Sequence, residues 1–484
     1  RRPPRSTQGV SSAASDVYKR QVLALFGGIG LSFSTSAQNA ELLESYSQSQ
    51  LALTAAVFGI PSDSYSAQYD VNAYRVTYEM PYLEDTIVVS GALFVPQGFE
   101  DPCGLPIHLY MHGTIFKRTD APSYLSIEGS FGGLMATLGQ LVLMPDYVGL
   151  GTSPLMHPYV HGSSESDAGF YMMRAAQTLG QELGYTLNGQ NFLSGYSQGG
   201  HAAMALARDL ATTDYGEEFP LTAAVPGSGP YDISGTQFPL TFESATYSNP
   251  AYLAYNIIGW NSVYGNLYDE LSEVFQEPYA TTLPLLFDGT NDAGTINNAC
   301  PATLEELMQP GLVETILNDP AHPFMVAAMD NDVYQWVPEV PLEMYYCTED
   351  EQVFYQNALL ADEWMTANGS TSHDAVNLGA YDHGNCAGLA IFEGTLWIED
   401  RVESCATLLQ EAQKTAALRA YPNPAAEQLT LEGLSSSSRW SLHNAMGQTV
   451  VAGQGRVVDV SSLASGLHIV RAEAHRPVVV MVQH

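Results

Sequence analysis

One serine in this chain stands where a hydroxyl could be turned into a nucleophile. Gly195-Tyr196-Ser197-Gln198-Gly199 follows a short apolar stretch, Phe192-Leu193, and runs into a helical segment, Ala202 to Leu210. A bare Gly-x-Ser-x-Gly is a weak signal, so the context decides. Here the two glycines leave room for a sharp strand-to-helix turn that lifts the serine hydroxyl out of a sheet. A helix N-terminus just behind Ser197 offers N–H groups and a positive dipole end to a developing oxyanion. The chemistry implied is acyl transfer through serine.

A serine hydroxyl needs a base, and the base needs an orienting acid. Histidines after Ser197 in the same body are His201, His322, His373 and His383. His383, in Tyr381-Asp382-His383-Gly384-Asn385-Cys386, follows the strand-like Ala375 to Ala380 and so falls in a loop at a strand's end, where a base belongs. His201 reads as helix packing or capping, His322 sits in a Pro-flanked loop, and His373 falls at the wrong end of the last strand. For the acid, Glu343 to Tyr346 reads as a strand and Cys347-Thr348-Glu349-Asp350 as the loop after it, which puts Asp350 forward, with Glu349 and Asp382 as rivals. Oxyanion donors are expected from the backbone N–H of Gln198 and from the loop His112-Gly113-Thr114, where Thr114 is preferred and Gly113 second. Cys347 and Cys386 flank the acid and base by three residues each and are expected to form a disulfide, with Cys386–Cys405 the rival pairing. His157 and His161 have zinc-like spacing, but Pro158 interrupts any helix there, and Asp330-Asn331-Asp332 is no better as a metal site.

These residues need a scaffold. Ala73 to Glu79 and Ile87 to Val95 alternate like a hairpin, whereas Ile107 to Met111 and Leu141 to Met144 are continuous apolar runs suited to buried parallel strands. Ala168 to Leu183 has helical spacing, a helix follows Gly199 to about Ala211, and Leu221 to Val225 is another strand. The order predicts a doubly wound α/β sheet covered by helices. More than 100 residues then separate Pro226 from the acid strand, too many for a plain connection. Within them, Pro250 to Asn261, Leu267 to Phe275, Ala302 to Leu307 and Gly311 to Leu317 read as helices.

This body resembles the α/β-hydrolases, and within them the secreted lipase A-like branch, through His112-Gly113-Thr114, Pro145-Asp146-Tyr147-Val148-Gly149-Leu150-Gly151 and Gly195-Tyr196-Ser197-Gln198-Gly199-Gly200. Asp350 and His383 fall at the family's acid and base positions. Cys347 departs from the glycine many hydrolases carry before the acid loop. The resemblance implies hydrolysis of carboxylic esters with no metal or cofactor, and a helical cap, about residues 233–340, favouring an apolar acyl group. A peptidase on the same fold, or a surface-binding protein without activity, are the alternatives, since the triad alone does not separate ester from amide.

The 484 residues include 17 Lys+Arg against 52 Asp+Glu, and the imbalance is local. Residues 38–420 hold 8 basic and 47 acidic residues, which argues against nucleic acid as a partner. No run of 18 apolar residues suggests a transmembrane segment. Residues 1–37 read as an upstream scar followed by a signal peptide: Lys19-Arg20, an apolar Val22 to Phe33, then small Thr35-Ser36-Ala37. Residues 421–484 are neutral and carry short alternating segments punctuated by glycine, which predicts a small C-terminal β-sandwich. That stretch resembles the type IX secretion system sorting domain in Tyr421-Pro422-Asn423-Pro424, Asn444-Ala445-Met446-Gly447-Gln448 and Leu463-Ala464-Ser465-Gly466-Leu467. The resemblance implies an encounter with the type IX machinery and export through the inner and then the outer membrane, to the medium or the cell surface.

Overall fold

The structure is a computed structural model that describes residues 39–61, 65–244, 247–403, 416–444, 449–472, 475–476 and 478–484. The expected signal segment and Cys405 lie outside them.

The centre is a nine-stranded sheet in the order β1-β2-β3-β5-β4-β6-β7-β8-β9, with ranges Asn39–Tyr46, Asp70–Tyr82, Asp85–Gln97, Leu105–Met111, Leu141–Pro145, Leu187–Tyr196, Ala223–Gly227, Leu342–Tyr346 and His373–Asn377 for β1 to β9. Pairing is antiparallel from β1 to β5 and parallel from β5 through β9. The predicted hairpin is β2 and β3, in register along both strands. The second half of β3 loses its alternation and is buried throughout, because there it lies between β2 and β5. All seven residues of β4 and all five of β5 are buried, as continuous apolar runs in a parallel sheet require.

Helix Gly162–Leu183 starts where the His161 side chain accepts the Ser164 N–H and stops at Gly184 in the left-handed region. It packs with helix Gln198–Thr212 over the sheet, burying Phe170, Met173 and Leu206 in the main core. A second core joins Phe116, Tyr159 and Val160 to residues between β7 and β8, with Trp260 and Phe275 fully enclosed. That insert carries helix Pro250–Tyr264 and shorter ones at Leu304–Leu307, Leu312–Asn318 and Pro323–Asp330.

The expected helix at Leu267 to Phe275 is absent apart from one turn, Leu271–Glu273. Its backbone is held instead by a neighbouring segment: Gln276 N–H donates to the Leu307 carbonyl, Gln309 N–H to Val274, and the Gln309 amide to Ser272 and Phe275. Sequence periodicity missed several elements, three of them near the sheet or the site. β1 is an edge strand, mostly exposed, and has no apolar face to announce it. Helix Gln48–Val57 buries only Leu51 and Ala55. Helix His383–Glu399 is interrupted by Gly384, Gly388 and Gly394, the last of which meets Val225 so closely that an added Cβ would touch its side chain.

Near the C-terminus, a three-stranded sheet (β10 Arg419–Tyr421, β11 Gln428–Glu432, β14 Val457–Asp459) and a four-stranded one (β12 Arg439–Asn444, β13 Thr449–Gln454, β15 Gly466–Ala472, β16 Val478–Val482) share one core. Leu429, Leu431 and Val458 come to it from the first, Leu442, Val470 and Val480 from the second. This is the β-rich domain expected there.

Candidate active site

The parallel register brings the site loops side by side. Met111 at the end of β4 is level with Gly195 in β6, and Tyr196 is level with Gly227 in β7. Between β6 and the helix behind it, Ser197 has φ 62° and ψ −122°, a strained conformation for a residue with a Cβ. The turn is held from both sides: Ser197 N–H donates to the Gly227 carbonyl at 2.9 Å, and the Ser197 carbonyl accepts from His201 N–H at 3.1 Å. Gly195 and Gly199 are required here, since a Cβ on either would collide with backbone, that of Gly199 and of Met111 respectively.

Ser197, Asp350 and His383 come together. The Ser197 hydroxyl donates to His383 Nε2 at 2.9 Å, and His383 Nδ1–H donates to Asp350 Oδ2 at 2.7 Å. Asp350 is fixed through its other oxygen, Oδ1, which accepts the backbone N–H groups of Gln352 at 3.0 Å and Val353 at 2.9 Å. All three residues are buried. His383 is not in a loop as expected: it is the first residue of helix His383–Glu399, whose N-cap is Asp382. Its main chain is pinned by the Tyr196 hydroxyl, which donates to the His383 carbonyl at 2.8 Å, and by Glu351, which accepts the His383 N–H. The rival acids are elsewhere, Glu349 exposed and Asp382 occupied in capping Asn385. Of the other histidines, His322 caps helix Pro323–Asp330 and His373 begins β9 at the far end of the sheet.

Cys347 and Cys386 are joined by a disulfide between two fully buried residues. Cys103 is also disulfide-bonded, and Cys300 is free. The Cys347–Cys386 bridge closes a loop 39 residues long, which in the chain-entropy picture stabilises the fold by about 4 kcal/mol. We therefore expect Cys347→Ser/Cys386→Ser to lower unfolding free energy by about that amount in urea titration and to lower kcat, because the bridge ties the loop of Asp350 to the helix of His383.

The Gly113 N–H is already taken: it donates to Glu128 Oε1 at 2.8 Å. That leaves the Thr114 N–H as the candidate donor on this side, its side chain held by a 2.9 Å bond between Thr114 Oγ1 and the Tyr159 hydroxyl. Gln198 opens its helix, so its N–H has no intrahelical carbonyl to bond. The Gln198 side chain reaches back into a buried polar cluster that the sequence did not announce. Its amide donates to Glu165 Oε1 and to His157 Nε2, both at 2.7 Å. His157 in turn donates from Nδ1 to the Val148 carbonyl, and burial pushes its pKa down to about 3, so it stays the neutral ring that this bonding needs.

Glu165 Oε2 accepts from His201 Nδ1 at 3.0 Å, and His201 Nε2 donates to the Asn331 carbonyl at 2.9 Å; both side chains of the pair are fully buried. Glu165 is thus the shared buried partner of His201 and Gln198. Removing its side chain leaves both of those polar groups without their partner in the core. Glu165→Ala should destabilise the protein by about 2–5 kcal/mol, about 1–3 for each group left unsatisfied, measured by urea unfolding. Nothing in the local sequence singles out Glu165, since an acid in a helix's first turn normally reads as a dipole contact.

Beside Ser197 and Gln198, a cavity of about 60 Å³ runs under the insert, walled by Tyr159, Ile233, Phe238, Leu253 and Val353 among others. A hydroxyl relayed to a carboxylate through imidazole, with backbone donors nearby and an apolar hollow beside it, is equipped to attack an acyl carbonyl and to hold an apolar group.

Residues 419–481 match the model of the secretion system C-terminal sorting domain. Among solved structures, the chain is similar to the rice cell wall degrading esterase LipA from Xanthomonas oryzae in a ligand-bound form: 28% identity, 75% of this chain and 95% of that one, TM-score 0.65. It is similar also to a putative hydrolase from Legionella pneumophila, at 25% identity, 76% and 98% coverage and TM-score 0.69. Candida antarctica lipase A shares the fold, at 15% identity, 73% and 82% coverage and TM-score 0.52. A search of the curated proteins finds no match. The sorting domain and the lipase match together describe a secreted or cell-surface protein. The model of the secretory lipase matches residues 133–408, a span that takes in the Ser197 turn, the insert, the loop of Asp350 and the helix of His383, and on that ground the chain is a carboxylic ester hydrolase that belongs to the secretory lipase family.

Proposed function

We propose that the protein cleaves carboxylic esters through an acyl-serine intermediate. Ser197 attacks the ester carbonyl while His383 takes its proton; Asp350 holds the imidazole with its proton on Nδ1 and stabilises the charge it gains. The N–H groups of Gln198 and Thr114 receive the oxyanion, the alcohol leaves with the proton from His383, and water repeats the sequence to release the acid. The observation that carries this reading is the unbroken hydrogen-bond line from Ser197 Oγ through His383 to Asp350, at 2.9 and 2.7 Å.

The chain division goes with it: a leader at 1–37, a catalytic body at 38–420 capped by residues 233–340, and a sorting domain at 421–484. The separate apolar core of the insert supports the cap. Export across the inner membrane by the leader, then across the outer membrane by the type IX machinery, fits a sorting domain at this end. The test is an assay of the purified protein on aryl esters and on matched peptide anilides. Ester turnover that depends on Ser197 is the expected result; anilide turnover at equal or higher kcat/KM would reject the ester assignment in favour of a peptidase.

A further inference from the structure

The cavity beside Ser197 is small, and its walls are braced. Gln352 lies on one side, and its carbonyl accepts two bonds across the hollow's rim, from the Gln237 amide at 2.9 Å and the Tyr247 hydroxyl at 3.2 Å. On the opposite side the Asn256 amide donates to the Tyr159 carbonyl at 3.2 Å, joining helix Pro250–Tyr264 to the segment before helix Gly162–Leu183. The apolar walls are equally committed. Phe238 packs against Trp260, whose indole N–H donates to the Val160 carbonyl, and Leu253 and Ile233 are buried in the cap core. Walls tied on both sides by side-chain hydrogen bonds and backed by a packed core do not widen freely, so the hollow sets a size limit.

An apolar cavity of roughly 150 Å³ takes benzene, or about 25 Å³ for each carbon. A volume of about 60 Å³ therefore holds two or three carbons beyond a carbonyl at Ser197. The group placed there should be the acyl group. It stays bonded to serine after the alcohol has gone, whereas the alcohol must leave before water can attack.

We propose that the substrates are esters of short acyl chains, two to four carbons long, and that the cavity walled by Leu253, Ile233 and Phe238 is the acyl site that imposes the limit. The proposal rests on the acyl-serine reading above and narrows it.

The experiment measures kcat/KM of the full protein on p-nitrophenyl acetate, butyrate, octanoate and palmitate, and on acetates of alcohols from ethyl to octyl. Leu253→Ala and the milder Phe238→Leu are measured beside the native chain, each checked for an intact melting transition. Each methylene that a pocket refuses is worth about tenfold or more, so octanoate should fall at least about a hundredfold below butyrate. Leu253→Ala or Phe238→Leu should narrow that gap by about tenfold. Octanoate or palmitate as the best native substrate would overturn the size limit, while continued dependence on Ser197 would leave the acyl-serine reading standing. A steep dependence on alcohol length with a flat dependence on acyl length would overturn the assignment of the cavity to the acyl group. No turnover of any ester, with Ser197 unreactive to a phosphonylating agent, would overturn both.

Discussion

Replacing Ser197 by alanine is expected to lower kcat on an aryl ester by about 10⁶-fold, roughly 8 kcal/mol of transition-state stabilisation. The size follows from the geometry. Ser197 Oγ is the atom in hydrogen-bond contact with His383 Nε2, and with it gone neither His383 nor Asp350 has a nucleophile to activate. The donors at Gln198 and Thr114 would survive, so some catalysis above the background rate should remain. The fold should hardly notice. The strained φ of 62° is borne by the backbone and its bonds to Gly227 and His201, and alanine carries the same Cβ into that turn. Melting temperature should therefore stay near the native value while activity collapses. A Ser197→Ala protein retaining more than about a hundredth of native kcat would be incompatible with this site.

Asp350→Asn is expected to lower kcat by about 10⁴-fold with the fold intact, and for a reason specific to this loop. Asp350 Oδ1 accepts two backbone N–H groups, from Gln352 and Val353. An asparagine must keep its oxygen on those donors, which turns its NH₂ toward His383 Nδ1. The ring can then only accept at Nδ1 and must carry its proton on Nε2, facing Ser197 as a donor, the wrong tautomer for a base. Asp350→Ala removes this forced tautomer as well as the carboxylate. The asparagine variant is therefore expected to be no better than the alanine one despite its closer shape. The check is kcat for both variants on one ester; a loss below tenfold for Asp350→Asn would contradict the assignment.

Much of this site could be read from residue order, and the reasons are physical. A nucleophile between glycines must lie at a strand-to-helix turn, and the acid and base must lie at the C-terminal ends of later strands, so Ser197, Asp350 and His383 follow from chain order with few rivals. The choice of Thr114 over Gly113 rests on a different footing. The sequence prefers it only through the turn, whereas the structure shows the rival donor, Gly113 N–H, occupied by Glu128. The bridge between Cys347 and Cys386 is open to rivalry in the sequence because spacing alone does not exclude Cys405, while the packed loop and helix bring the Cys347 and Cys386 sulfurs into a bond.

What escaped was whatever lacks a one-dimensional period. Glu165 meets Gln198 and His201 across 33 and 36 residues, a contact between helices that no local pattern encodes. Helix His383–Glu399 hides behind its glycines, of which Gly394 serves close packing against Val225 of β7 rather than a turn. At Leu267 to Phe275 apolar residues fall at helical intervals, but the backbone pairs with the segment around Leu307 instead. Tertiary pairing overrides local preference there, as it does at the poorly patterned edge strand β1.

Whether Ser197 is the nucleophile is read from the mass of the protein after brief reaction with a p-nitrophenyl alkylphosphonate, followed by peptide mapping. One adduct per chain is expected, on the peptide carrying Ser197, formed with release of one p-nitrophenolate and lost in both Ser197→Ala and His383→Ala. An adduct on any other residue, or ester turnover that continues at the native rate once Ser197 is fully modified, would contradict Ser197 as the nucleophile.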